Sequence, residues 1–448
     1  MTVARSDNLK KLATLAASKR TGLVLIFVLW VLVILAVMVV ALALDTRLDS
    51  AVRLAAADRV TARWLARAGV ARAIAEILAD HNQTDSPHDR WYNHEEIFDR
   101  APLPGGSFTV FADRFLEKNQ SAYGVIDEAS RLNLNTATRE MLLALPNMTA
   151  TVAEQIIEFR RRRSALGDNP DQVIPADFPS VNSASPSGFL TVRELGLLEQ
   201  MTGELLNGED TNFNGVLENQ ENDGAYLPPW DNQDHRLDRG LLGYVTVYSR
   251  DYNQSAAGVK RLNINTVPPE ILREQLGLHV CYVNWIMQNR DFISIGNLLD
   301  ETYSKEDTDP TLLEDPKKSV PPDVSTFRRI ADQITVTDLA VIPGRININT
   351  APEAVLRTLP DLNAALARNI VESRPPETGY LSIADLLKLD EVSLEQFIKI
   401  APFITIRSNV FTVRCEGVAE RTGLKHLIEA VVERTPEGAA VLYWKESR

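Results

Sequence analysis

The chain is 448 residues long, 45% hydrophobic and 24% charged, which is enough for two or three domains. Its 60 acidic residues outweigh 47 basic ones, and the net charge of −13 argues against a nucleic acid or an anionic membrane surface as the main partner. The two cysteines, Cys281 and Cys415, fit no metal or redox spacing and are either buried free thiols or one long-range disulfide.

Arg5, Lys10, Lys11, Lys19 and Arg20 precede residues 23–44, LVLIFVLWVLVILAVMVVALAL, a run without charge, proline or glycine. Those 22 residues, at 1.5 Å each, give about 33 Å, the thickness of a bilayer's apolar core. The basic flank places the N-terminus in the cytoplasm and everything after residue 45 outside. A cleavable secretory signal would have a shorter apolar core and end in small residues. The stretch that follows is rich in Ala, Leu and Arg and lacks proline, so one continuous helix over about 23–80 is expected.

Residues 210–221, DTNFNGVLENQE, match the spacing of a calcium loop. Asp210, Asn212 and Asn214 supply side-chain oxygens and Gly215 allows the sharp turn. Val216 offers its carbonyl, Glu218 acts through water, and Glu221 closes the site bidentately around Ca2+. LTVRELGLLEQMTGELL before the loop has a helical pattern, whereas the prolines of NDGAYLPPW forbid an immediate second helix. This predicts an EF-hand-like structural staple rather than a full EF-hand. A second acidic group from Asp231, DNQDHRLD, reads as solvated turns or as ligands for a second ion.

An internal repeat follows a different logic. Segments 131–160, 261–290 and 345–374 all begin R-[LI]-N-[LI]-N-T, and each is followed by a related stretch: GFLTVREL, DFISIGNLL or GYLSIADLL. The threonine is read as an N-cap and the two apolar stretches as paired helices. Such units cannot bury their apolar faces alone, so they should pack on one another. GGSFTVFADRF, SAYGVIDEAS, GLLGYVTVYSR, SNVFTVRCEGVAE, LKHLIEAVVERT and AAVLYWKES read as strands, the last three as an antiparallel meander. Residues 300–323, rich in Asp and Pro, read as a surface linker. His81, His88 and His94 have no zinc spacing, and no nucleophile or phosphate-loop motif is present, so no enzyme is expected.

A membrane-crossing helix that continues as a stalk resembles the N-terminal helix of type IV pilins and type II secretion pseudopilins. The resemblance implies processing by a prepilin peptidase between Gly22 and Leu23. Most of those subunits carry Glu at the fifth mature position; here it is Phe27, a trait shared with the pseudopilin K (general secretion pathway protein K) family. That likeness implies an α+β fold in which the long helix packs on an antiparallel sheet, with an inserted α-helical domain of helix-hairpin-helix-like repeats. It also implies a place at the pseudopilus tip, with minor pseudopilins I and J and the major pseudopilin as partners, in the inner membrane with the bulk periplasmic.

The expected divisions are a leader at 1–22, the span at 23–44, helix and first strands at 45–130, and the first repeat with the calcium loop at 131–222. A strand segment at 223–260, the second and third repeats with the linker at 261–400, and C-terminal strands at 401–448 complete the chain. The alternative is a membrane-anchored, competence-type DNA receptor. DNA-binding hairpins typically turn on Gly-hydrophobic-Gly, whereas these turns read LPNMTA, LGLHVC and LPDLNA. Asp361 would repel a phosphate, and the basic run 160–163 is read as a helix C-terminal cap, so no nucleic-acid partner is expected.

Overall fold

The computed structural model describes residues 4–80, 83–112, 122–167, 188–210, 217, 219–222, 224, 231, 233, 235, 237, 239–299 and 310–447. Proline-free sequence gives one helix, Ala4–Ala79, which starts well before the expected residue 23. Its apolar part is long enough to cross a membrane by length and composition. Leu25 and Phe27 on that part are 73% and 69% exposed, so no described residue covers it.

The distal part of the helix is buried. Ala62, Ala66, Val70, Ala73 and Ile77 recur at helical spacing and lie in the core against the sheet. Two glycines set how closely the surfaces meet. A Cβ at Gly69 would stand 2.3 Å from the Cys415 sulfur, and one at Gly417 would stand 2.2 Å from the Ala62 carbonyl oxygen. Arg421, in a strand turn, grips the buried Asp58 at 2.5 Å, so the helix is also held by charge.

The sheet is antiparallel and runs Ala101–Leu103, Gly106–Phe111, Val410–Ala419, Lys425–Thr435, Gly438–Ser447. Ile126–Asp127 also pairs with the central strand, at Phe411 and Thr412. Its strands therefore come from both sides of a long insertion, and the helical domain leaves and re-enters at one end of the central strand, where Asp127 faces Phe411. The C-terminal meander forms as its turn residues imply.

Within the insertion, paired helices form in every repeat: Arg139–Leu143 with Ala150–Gly167, Pro269–Glu274 with Val280–Gln288, and Glu353–Leu356 with Ala364–Glu372. Leu142, Ile156, Leu272, Ile286, Leu356 and Ile370 belong to one shared core, which is how units too small to bury their own faces become stable.

Several expectations are corrected. The N-caps are Thr138, Pro268 and Pro352, two residues beyond the repeat's threonine, which instead sits in the turn between strand and helix. GLLGYVTVYSR contributes nothing to the main sheet. Its Val245–Thr246 pairs in parallel with Leu132–Asn133 and closes the first repeat, as Ile334–Thr335 closes on Leu262–Asn263 and Ile404–Thr405 on Ile346–Asn347. A β-branched run signals a strand but not its partner. The expected helix before the calcium loop is broken into a 3-10 turn, Val192–Leu197, and five helical residues, Gly203–Asn207. The linker's end is packed rather than solvated: Val320 is buried and its N–H donates to the Cys281 carbonyl at 3.2 Å. Both cysteines are free and buried, Cys281 in the helical core and Cys415 in the sheet core.

Candidate functional site

The repeated N-x-N has a physical purpose. In each repeat the first asparagine's Oδ1 accepts the N–H of the second: Asn133 from Asn135 at 2.9 Å, Asn263 from Asn265 at 3.0 Å, Asn347 from Asn349 at 3.0 Å. The second asparagine then binds both backbone groups of the aromatic that opens the next stretch, like a strand partner. Asn349 donates to the Tyr380 carbonyl at 3.1 Å and accepts its N–H at 2.7 Å. Asn135 does the same to Phe189 and Asn265 to Phe292.

This close approach forces the residue before the aromatic to positive φ, and that residue is Gly188 or Gly379 in two repeats but Asp291, at φ 83°, in the second. Asp291→Gly is therefore expected to raise stability by about 1 kcal/mol, read from denaturant unfolding; no gain would mean that the aspartate side chain offsets the strain.

One arginine per repeat is a staple; Arg290 and Arg374 follow their helices, whereas Arg160 and the rest of the run 160–163 lie inside Ala150–Gly167 and not at its C-terminus as expected. Arg160 donates to the Leu134 and Ala137 carbonyls, Arg290 to those of Ile264 and Val267, and Arg374 to those of Ile348 and Ala351. The rest of the basic run is also engaged. Arg161 and Arg162 pair with Glu158, and Arg163 pairs with Glu194 at 2.7 Å.

The hairpin turns carry Asn147, Gly277 and Asp361 at φ near 60°, at 58°, 61° and 57°. Side chains next to them cap the second helices: Thr149 accepts the Val152 N–H, His279 that of Cys281, and Asn363 that of Leu366. These are donors a phosphate would use, and Asp361 is itself held by Lys399 at 2.7 Å.

The third repeat is fastened to the sheet through a buried polar junction that sequence reasoning did not find. Asp127, from the strand beside Phe411, accepts from Ser408 Oγ at 2.6 Å, Asn347 Nδ2 at 3.2 Å, Thr350 Oγ1 and the Ala129 N–H. Alongside, Asp85 accepts from the Ser408 N–H at 2.8 Å and from Arg434 at 2.7 and 2.9 Å. Burial raises the Asp85 carboxyl to about 7 against the pull of Arg434. The repeat pattern could have marked Asn347; nothing local marks Asp85 or Asp127.

The calcium loop lies in an excursion from the first repeat whose ends meet at a Gly208–Arg239 bridge. Of its predicted ligands, Asp210 and Glu221 are described, and both are buried. Asn212, Asn214, Val216 and Glu218 lie outside the described residues. Glu209 and Asp231 are buried in the same excursion. Asp231 is shaped by its turn: its carboxylate accepts the Gly224 and Gln233 N–H groups at 2.9 and 2.8 Å, which hold it below the usual carboxylate range. Glu209, Asp210, Glu221 and Asp231 are thus buried acids of one segment, whereas the carboxylates that converge closely among the described residues are those of Asp80, Asp85 and Asp89. At the other end of the chain, Gly22 and Leu23 fall inside the long helix and Phe27 is exposed.

Comparison with known proteins identifies part of this architecture. Residues 343–405 match the helix-hairpin-helix motif. The third repeat is a helix-hairpin-helix motif. Sequence relatives share a short region with the chain. Endonuclease/exonuclease/phosphatase family domain-containing protein 1 of Danio rerio is 34% identical over 90 residues, 17% of this chain and 16% of that protein. The Homo sapiens protein is 36% identical over 83 residues, 17% and 15% of the two chains. This chain thus spans about a sixth of the length of the curated relatives it matches. A solved chain from "The Crystal Structure of the GspK-GspI-GspJ complex from enterotoxigenic Escherichia coli Type 2 Secretion System" aligns with 88% of this chain and 99% of its own length, at 14% identity and a TM-score of 0.34.

Proposed function

We propose that the chain is a minor pseudopilin of the K type, anchored in the inner membrane and acting at the tip of a type II secretion pseudopilus. One observation carries the reading: a single helix runs from an uncovered apolar segment into the groove of an antiparallel sheet, so membrane anchor and folded head form one rod. Exposed apolar residues on that rod, among them Leu48, Val52 and Trp64, offer a surface to the corresponding helices of minor pseudopilins I and J and of the major pseudopilin. Prepilin peptidase would cut between Gly22 and Leu23, and Phe27 would leave the subunit without the carboxylate that pairs with a neighbour's amine. Its work would be assembly and binding, not catalysis. The excursion would hold Ca2+ through Asp210, Asn212, Asn214, Val216, Glu218 and Glu221, as a permanently loaded brace outside the cytoplasm.

Tagged full-length chain recovered from its native membranes should bring down small pilin-like subunits identified by mass spectrometry. Recovery of DNA-uptake components, or of nothing pilin-like, would sink the proposal.

The capped hairpins and neutralised arginines weigh against the DNA-receptor alternative. Accordingly, the detergent-solubilised chain is expected to show no salt-sensitive binding to duplex DNA in fluorescence anisotropy. Micromolar affinity that falls steeply with salt would reinstate the receptor reading.

A further inference from the structure

Where the second and third repeats meet, three guanidinium groups converge on two carboxylates. Arg345, Asp251, Arg261, Asp332 and Arg407 form an alternating chain. Asp251 Oδ2 accepts from Arg345 at 3.0 Å and Arg261 at 3.1 Å, and Asp332 Oδ1 accepts from Arg261 at 3.3 Å and from Arg407. The second oxygen of Asp332 is taken by the Ala256 N–H at 2.8 Å. Three guanidinium groups thus share two carboxylates among the described residues.

The neighbouring Asp85 is held by Arg434 and the Ser408 N–H and pulls on Arg407 only through space. Arg261, Arg345 and Arg407 are largely withdrawn from solvent, at 6%, 16% and 13% side-chain exposure. Burial, and next the nearby Arg261, lower Arg407 to about 10 against the pull of Asp251 and Asp85.

Three of these arginines and Asp332 line a cleft of about 40 Å³, together with Ser382 and Thr405. That exceeds the roughly 10–15 Å³ a single water requires. The Nε of Arg345 is buried and has no hydrogen-bond partner among the described residues. A buried donor and a buried excess charge each cost stability unless answered, and one small anion answers both.

We propose that this cleft binds a single inorganic anion of chloride size, which locks the second repeat to the third. The partner is set by chemistry: the cleft is too small for a nucleotide or a peptide carboxylate with its chain, and its lining offers guanidinium and hydroxyl donors. The proposal is independent of the secretion reading.

Thermal unfolding of the full chain in detergent tests it, with sodium chloride exchanged for sodium isethionate at constant ionic strength so that screening is matched. Chloride is expected to raise the midpoint saturably by about 3 °C, and Arg345→Gln, which leaves two arginines for two aspartates, should abolish the rise. Equal midpoints in the two salts, or a chloride response retained in Arg345→Gln, would overturn the proposal. Should the variant fail to fold, crystals of the unaltered chain soaked in bromide decide the matter: an anomalous peak between Arg345 and Arg407 is expected, and its absence refutes the site.

Discussion

Asn347→Ala is expected to lower stability by about 4 kcal/mol, the cost of leaving several buried polar groups unanswered at once. Asn347 is fully buried, and its amide donates to the Asp85 carbonyl, to Asp127 and to Ser408 while its oxygen orders Asn349. The equivalent asparagines occupy poorer networks. Among the described residues Asn133 donates only to Ser249, at 3.1 Å to its carbonyl and hydroxyl, and Asn263 is half-buried and accepts from Asn265. Losses should therefore rank Asn347 above Asn133 above Asn263, although all three stand at one position of the repeat. Denaturant unfolding of the full chain in detergent, followed by tryptophan fluorescence, measures this, since Trp91 packs 4.9 Å from Phe411 beside the junction. Equal losses would show that the intra-repeat turn, and not the junction with the sheet, sets the value of the residue.

Asp210→Ala combined with Glu221→Ala should abolish calcium-dependent thermal stabilisation. At calcium concentrations near one hundred times the dissociation constant, binding contributes about 2.7 kcal/mol, so chelator should lower the midpoint of the unaltered chain by several degrees and leave the variant unmoved. The extracellular range of about 10⁻⁴ to 10⁻³ M sets the concentrations to scan. An unchanged midpoint of the unaltered chain with and without chelator would remove calcium from the account. The loop spacing and the buried positions of Asp210 and Glu221 motivate the experiment.

The sequence by itself determined the elements whose signal is local. Charge-free residues 23–44 and the proline-free continuation specify a long helix; the β-branched runs after residue 409 specify a meander; and R-[LI]-N-[LI]-N-T marks three copies of one unit. The proposed calcium ligands are local in the same sense, all lying within twelve residues, and the chelator experiment decides whether they bind. What only the tertiary structure decided are pairings across long separations. Thr246 closes a repeat that began at Leu132, Asp127 meets Ser408 across 281 residues, and Asp85 meets Arg434 across 349. No periodicity records such partners, because a side chain's alternation reveals which face is buried but not what covers it. The arginines were misleading in the same way: 160–163 is a basic run in sequence and a set of staples and ion pairs in space. Charge becomes an available surface only where folding leaves it without a partner, and that is settled by packing.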